Sequence, residues 1–225
     1  MTASGRFFFD AETVPADESQ HALLREVFDA KRAKAAEKAK KAVRERKEPT
    51  EEEVEETFQE FVLKTSFDGN FGRVVAVAYA LDDGEVVALS GTETEILEAF
   101  WAAYAGATRM IGHNIRDFDL PFLVRRSRIL GVKPSALPNL ARYRHDQVYD
   151  TLHEWNLWSG KAGSLDVLAR LLGLPTSKDE MSGADVWPYF QAGRIAEICE
   201  YCKKDVALTR EVYKKMTFND TLVTG

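Results

Sequence analysis

Apolar positions fall along the 225-residue chain in two rhythms, short near-continuous runs and longer stretches at helical spacing. Arg6-Phe7-Phe8-Phe9-Asp10 is an aromatic run that predicts a buried strand, closed by the loop containing Pro15, so Asp10 is expected near the end of a core strand. After Gly69, apolar runs at 72–81 and 85–90 flank Asp83-Gly84, which predicts an antiparallel hairpin. Thr92 opens a helix over 95–104, residues 108–112 form a brief strand, and 120–130 form a helix with Pro121 in its first turn. A proline-punctuated loop leads to a short strand at 148–151, a helix at 164–172 and a final helix over about 192–216. Three strands followed by alternating helices and strands predict an α/β fold, a mixed sheet with helices on both faces.

Residues 17–64 interrupt that rhythm. An alanine-, lysine- and arginine-rich stretch over 31–47 runs through Pro49 into Glu51-Glu52-Glu53-Val54-Glu55-Glu56. It predicts a charged helical insertion after the first strand, two helices broken at Pro49-Thr50 with Thr50 as an N-cap. A solvated hairpin is its default reading. The alternatives are that its basic half guides a nucleic acid strand, that its two halves pair with each other, or that the whole binds a protein partner.

Composition narrows the class. With 45% hydrophobic and 29% charged residues, the chain is expected to form a single domain over 1–225, with 17–64 inserted in it. The longest apolar runs, such as 74–81, are too short to cross a bilayer, and Arg6 and Asp10 precede any signal-like stretch, so neither membrane nor export is expected. Two cysteines, Cys199 and Cys202, supply no disulfide framework and fit a cytoplasmic setting. No second CxxC accompanies them, and His21, His113, His145 and His153 show no ligand spacing, which argues against zinc or redox chemistry. A net charge of −6 argues against affinity built on a blanket of lysine and arginine. It does not argue against a carboxylate cluster that holds divalent cations.

Three motifs carry the chemistry. Asp10-Ala11-Glu12 places two carboxylates on one face of an extended segment, and two like charges so placed call for a cation. The segment from Gly112 through Asn114, Asp117, Phe118 and Asp119 to Pro121 takes the chain from a strand into a helix, with Asp119 a candidate N-cap and Asp117 a competing acid. Tyr201-Cys202-Lys203-Lys204-Asp205 sets a phenol and a carboxylate one helical turn apart on one face. Taken singly, each also reads as a solvated acid, a helix cap or core packing.

In this order the motifs resemble the DEDD superfamily of 3′-to-5′ exonucleases, tyrosine subclass, whose patterns run DxE, NxxxFD and YxxxD. Phe9-Asp10-Ala11-Glu12-Thr13-Val14-Pro15 and Gly183-Ala184-Asp185-Val186-Trp187 look like a free-standing family related to the proofreading domain of family B DNA polymerases. The resemblance implies a ribonuclease H-like sheet and a metal-dependent exonuclease acting on single-stranded 3′ ends of DNA or RNA. It implies Asp10, Glu12, Asp119 and Asp205 as ligands of two divalent cations, and Tyr201 as a partner of the attacking water. Ligands that are all carboxylate oxygens independently favour Mg²⁺ or Mn²⁺. A phenol with a pKa near 10 is a poor base at neutral pH, so Tyr201 is read chiefly as an orienting hydrogen-bond partner.

Asn114 is expected to place the terminal nucleotide or to brace its loop, and Phe118 to pack in the core. Arg125, with Arg126 and Arg128 beside it, and Lys203 and Lys204 are candidate phosphate contacts, weighed against simple solvation. Trp155 and Trp158 are read as core rather than base-stacking residues. Two rivals stand beside the exonuclease: a catalytically vestigial nucleic-acid-binding or scaffolding module acting through the helical arm, and an endonuclease on the same core.

Overall fold

The computed structural model describes residues 5–44, 56–141, 146–159, 163–176 and 181–218. Five strands form one mixed sheet in the order β3-β2-β1-β4-β5. These are β1 (Arg6–Val14), β2 (Arg73–Leu81), β3 (Val87–Leu89), β4 (Arg109–Gly112) and β5 (Val148–Asp150). The pairs β1–β2 and β2–β3 are antiparallel, while β4 lies parallel to both β1 and β5, so the expected mixed sheet is present.

Strand alternation sorts the aromatic run between two cores. Phe7 and Phe9 pack with Val77 against α3 (Glu93–Tyr104) and α4 (Asp119–Leu130), whose Ile96, Leu97, Phe100, Trp101, Leu120 and Leu123 cover that face. Phe8 faces the other way, with Ala78, Ala80 and Ile111, and is covered by Cys202, Val206 and Tyr213 of α8 (Ile195–Met216). Three alanines of β2, Ala76, Ala78 and Ala80, are fully buried on this side. Their small side chains let a long helix seat close to the sheet.

Several boundaries differ from expectation for local reasons. β1 does not stop at Asp10 but continues to Val14, because β2 keeps pairing with it through a bulge between Glu12 and Thr13. The hairpin turn closes one residue early, with Asp82 at φ 49° and the Gly84 N–H donating to the Leu81 carbonyl at 2.8 Å. The final helix begins at Ile195 rather than near 192, because Gly193 at φ 72° ends the separate short helix α7 (Val186–Gln191). Thr92 caps α3 as expected, in a capping box with Glu95.

In the insertion, α1 (His21–Arg44) packs on α2 (Phe58–Lys64) through Phe28, whose ring lies 5.6 Å from Phe58 and 5.3 Å from Phe61. Beyond Phe28, α1 is exposed at every position from Asp29 to Lys41. The second helix is capped by Thr57 in a capping box with Glu60. The proposed break at Pro49-Thr50 and most of the acidic run lie outside the described residues. Two short helices, α5 (Thr151–Trp155) and α6 (Leu165–Leu171), complete the fold, and among the described residues no helix is long and apolar enough to cross a membrane.

Candidate active site

The alternation that turns Phe8 toward α8 turns Asp10 and Glu12 the same way. Opposite them on β2 stand Ala78 and Ala76, too small to fill the space between strand and helix. Parallel pairing with β4 covers only Arg6, Phe7 and Phe8, so both carboxylates stand where β1 has outrun its neighbour. Asp10 is half-buried and Glu12 is 8% exposed.

Asp119 reaches the same place from the second motif. It is the first residue of α4, and its Oδ1 accepts the Ala11 N–H at 3.1 Å, a bond between residues 108 apart that ties this carboxylate to the backbone between Asp10 and Glu12. The capping reading of Asp119 is therefore corrected: Phe118 occupies the cap, without a side-chain hydrogen bond, because the carboxylate is engaged across the sheet. Asp117 is excluded from the cluster, being exposed and paired with His153 Nε2 at 3.1 Å.

The loop leading to Asp119 is held by an aspartate that sequence reasoning missed. Asp150, fully buried at the end of β5, accepts the Asn114 N–H on Oδ1 and the Arg116 N–H on Oδ2, both at 2.9 Å. It also caps α5 through the Leu152 and His153 N–H groups. Asn114 sits at φ 62°, a conformation asparagine tolerates better than most residues. An aspartate closing a strand immediately before a helix is the signal that could have identified Asp150.

Helix α8 brings the third motif. It is seated by Ile198, Cys202, Val206, Thr209, Val212 and Tyr213, which leaves Tyr201 and Asp205 at the side of the buried stripe. The Cys202 thiol stands 3.4 Å from the Asp10 carbonyl oxygen and 3.5 Å from its Oδ2. Ligand atoms of Asp10, Glu12 and Cys202 lie within 4.8 Å of one another. Burial pushes the Cys202 thiol well up, with the negative charge of Asp10 adding to the effect. It therefore stays protonated and donates to Asp10 rather than competing as a thiolate.

Burial and neighbouring charge shift the acids of these motifs in one direction. Burial, then the charge of Asp205, lifts Asp10 to about 7. Glu12 is raised by burial and then by Asp10, Asp205 and Asp119, and Asp119 by burial and then by Asp10. Tyr201 is raised by burial first, then by Asp205, Glu12 and Asp10, and it hydrogen-bonds to Asp205. The charged neighbours that act on Asp10, Glu12 and Asp119 are themselves carboxylates, and among the described residues the close set of ligand atoms is that of Asp10, Glu12 and Cys202. Crowded hard oxygens beside a protonated thiol fit a hard divalent cation and not a soft one.

The expected substrate contacts divide. Lys204 borders a cleft of about 680 Å³ that Tyr201, Asp205 and Leu208 of α8 share with Arg170 of α6 and Met181. Lys203 does not line it, and its ammonium is held by Glu200 at 2.9 Å. Arg125 and Arg128 are exposed, but Arg126 is corrected as a phosphate contact: it is 7% exposed and bonds both oxygens of Glu93 at 2.8 Å. Trp155, expected in the core, is 43% exposed, because α5 is too short to bury both its ends.

Comparison with known proteins bears on the family and the fold. A protein of Methanocaldococcus jannaschii is 30% identical over 155 residues, which span 63% of this chain and 84% of that one. The family B DNA polymerase of Pyrobaculum calidifontis superposes with a TM-score of 0.62 at 17% identity, over 95% of this chain and 24% of the polymerase. The chain thus spans about a quarter of the polymerase's length, and the likeness establishes a ribonuclease H-like α/β fold. Residues 65–224 match the family described as "Predicted 3'-5' exonuclease related to the exonuclease domain of PolB", a stretch that begins after Asp10 and Glu12. With most of its length inside that match, the chain belongs to this family of predicted 3′-to-5′ exonucleases.

Proposed function

We propose that the protein is a metal-dependent 3′-to-5′ exonuclease that hydrolyses terminal phosphodiester bonds of DNA or RNA, single-stranded 3′ ends being its substrate. The observation that carries this reading is the convergence of Asp10, Glu12, Asp119 and Asp205 with their repulsion uncompensated by a lysine or arginine among the influences on Asp10, Glu12 and Asp119. These four would hold two divalent cations, Mg²⁺ or Mn²⁺. When bound, such ions polarise the phosphoryl oxygens and lower the pKa of the attacking water.

The chain's own groups supply the rest. Asp119, anchored on the Ala11 N–H, ties the second motif to the first and fixes their spacing. The Cys202 thiol donates to Asp10 and limits its rotation. Tyr201, raised in pKa, remains a phenol at neutral pH, so it orients a water through hydrogen bonding instead of removing its proton. Lys204, which borders the adjoining cleft, would meet a phosphate, and Asp150 braces the loop behind Asp119 by accepting the Asn114 N–H.

A 5′-labelled single-stranded oligonucleotide incubated with Mn²⁺ should give a ladder of products shortened from the 3′ end. The ladder should disappear with Asp10→Ala and with excess chelator. DNA and RNA oligonucleotides run in parallel identify the preferred sugar. Absence of a ladder on both would overturn the reading and favour a nucleic-acid-binding or scaffolding module acting through the helical arm.

A further inference from the structure

The inserted arm is rooted beside the first acidic motif. Thr13, which directly follows Glu12 in β1, donates its hydroxyl to the Ser66 carbonyl at 2.7 Å, and the Ala16 N–H donates to the Thr65 hydroxyl at 2.9 Å. Both the chain that enters the arm and the chain that leaves it are thus pinned at the Glu12 end of β1. Leu24 and Phe28, one helical turn apart, are the buried residues of α1 among its described side chains. Past Phe28 the helix runs on into solvent, exposed at each position to Lys41. Alanine and lysine both favour helix, so this stretch extends without a packing partner.

The charge on that stretch is segregated. Residues 31–41 hold six cations, Lys31, Arg32, Lys34, Lys38, Lys40 and Lys41, and one acid, Glu37, on a chain whose net charge is −6. Lys31, Lys34, Lys38 and Lys41 follow one another by three, four and three residues, which sets them in a single row along the helix. Lys31, nearest the root, is held by Glu56 at 2.9 Å and lies over the Phe61 ring. The other three continue the row outward. At about 1.5 Å per residue, Lys34 stands about 20 Å and Lys41 about 30 Å along α1 from His21.

We propose that Lys34, Lys38 and Lys41 form a second binding surface, one for the phosphodiester backbone of a single strand, which they grip upstream of the 3′ end received by the acids. The inference rests on the exonuclease reading. From Lys34 to Lys41 the row is about 10 Å long, which matches about three phosphates at about 3.4 Å per nucleotide of a stacked strand. Counted from the root of the arm, the contact begins about six nucleotides from the end. Between Phe28 and Lys41 the only apolar side chains are alanines, so the surface lacks the large anchors on which a protein partner's interface core would close. A row of ammonium groups without such anchors suits a regular polyanion.

The test measures binding of a labelled single strand of about 20 nucleotides by fluorescence anisotropy in excess chelator over a range of salt, together with kcat/KM in Mn²⁺ on that strand and on a trinucleotide. In the triple variant Lys34→Gln, Lys38→Gln, Lys41→Gln, the plot of log affinity against log salt should become shallower by about two units, and the ratio of kcat/KM on the long strand to that on the trinucleotide should fall about tenfold. Glutamine is a good helix former, and arginine at the same three positions should restore both readouts. An unchanged slope overturns the proposal, as does an equal loss of kcat/KM on the trinucleotide. A glutamate decapeptide that binds more tightly than the strand would also overturn it and make the row a dock for an acidic protein. Wild-type protein that binds the strand with the lysine-dependent slope yet cuts neither substrate would sink the exonuclease reading and leave the backbone contact standing.

Discussion

Tyr201 and Asp10 give the sharpest expectations for single side chains. Because Tyr201 stays protonated and bonds Asp205, Tyr201→Phe should lower kcat by about tenfold to a hundredfold while Mn²⁺ affinity in calorimetry stays near wild type. A large loss of metal affinity would instead make the phenol part of the ligand frame. For Asp10, the folded carboxyl titrates at about 7, above the value near 4 of an unfolded chain, so between these pH values the folded protein holds a proton that the unfolded chain has released. Its contribution to metal-free stability is greatest at acid pH and is lost as pH rises through 7. The Tm of chelator-treated protein should therefore fall between pH 5 and pH 8, Asp10→Asn should flatten that fall, and Mn²⁺ should raise Tm more at pH 8. A metal-free Tm that climbs over the same interval would contradict the crowding of these acids. Asp10, Glu12, Asp119, Tyr201 and Asp205 were singled out in the sequence by the order of three motifs and the family that order resembles, since each motif alone also reads as a solvated acid, a cap or core packing. Cys202 was not, since a cysteine inside a helical stripe reads only as core until the strand beneath it is placed.

Between the single residue and the sheet, the loop from β4 to α4 and the inserted arm behave as units. Asp150 holds the loop with both oxygens, so Asp150→Asn keeps Oδ1 for Asn114, Leu152 and His153 but sets an amide donor against the Arg116 N–H. A lost buried hydrogen bond of this kind costs about 1–3 kcal/mol. The variant should melt earlier and need more Mn²⁺ for half-maximal activity, and unchanged metal titration would show that the loop does not govern Asp119. In the arm, Phe28 is 3% exposed between two phenylalanines of α2, and Phe28→Ala should cost about 3–5 kcal/mol locally. Hydrogen exchange should quicken along α1 and leave β1 and β2 protected, because past Phe28 the helix has no buried position to Lys41. Capping and turn chemistry made most elements readable, as Thr92 with Glu95 shows. The boundaries that escaped were decided by the bulge after Glu12 and the left-handed Gly193, which depend on strand pairing and helix docking.

At the scale of the whole molecule, the alternation of apolar runs sufficed for a mixed α/β sheet, and motif order sufficed for the family. What stayed hidden was relative placement. Nothing in the residue pattern says that Ala76, Ala78 and Ala80 clear a floor for α8, or that β1 outruns β4 at Asp10, yet these two features let motifs 190 residues apart touch through Cys202 and Asp10. The same architecture separates two parts of the proposed function. A carboxylate cluster with bound cations accounts for hydrolysis of a phosphodiester but has no inherent direction, whereas the 3′-to-5′ sense belongs to the family and requires a free end. A circular single strand should therefore stay intact in Mn²⁺ under conditions that fully degrade a linear strand of the same sequence. Linearising that circle should restore degradation, and both activities should vanish in Asp10→Ala. Nicking of the circle by wild type but not by Asp10→Ala would leave the cluster as the hydrolytic centre and make the enzyme an endonuclease. The two outcomes separate because a strand with no terminus can meet the acids only along its length.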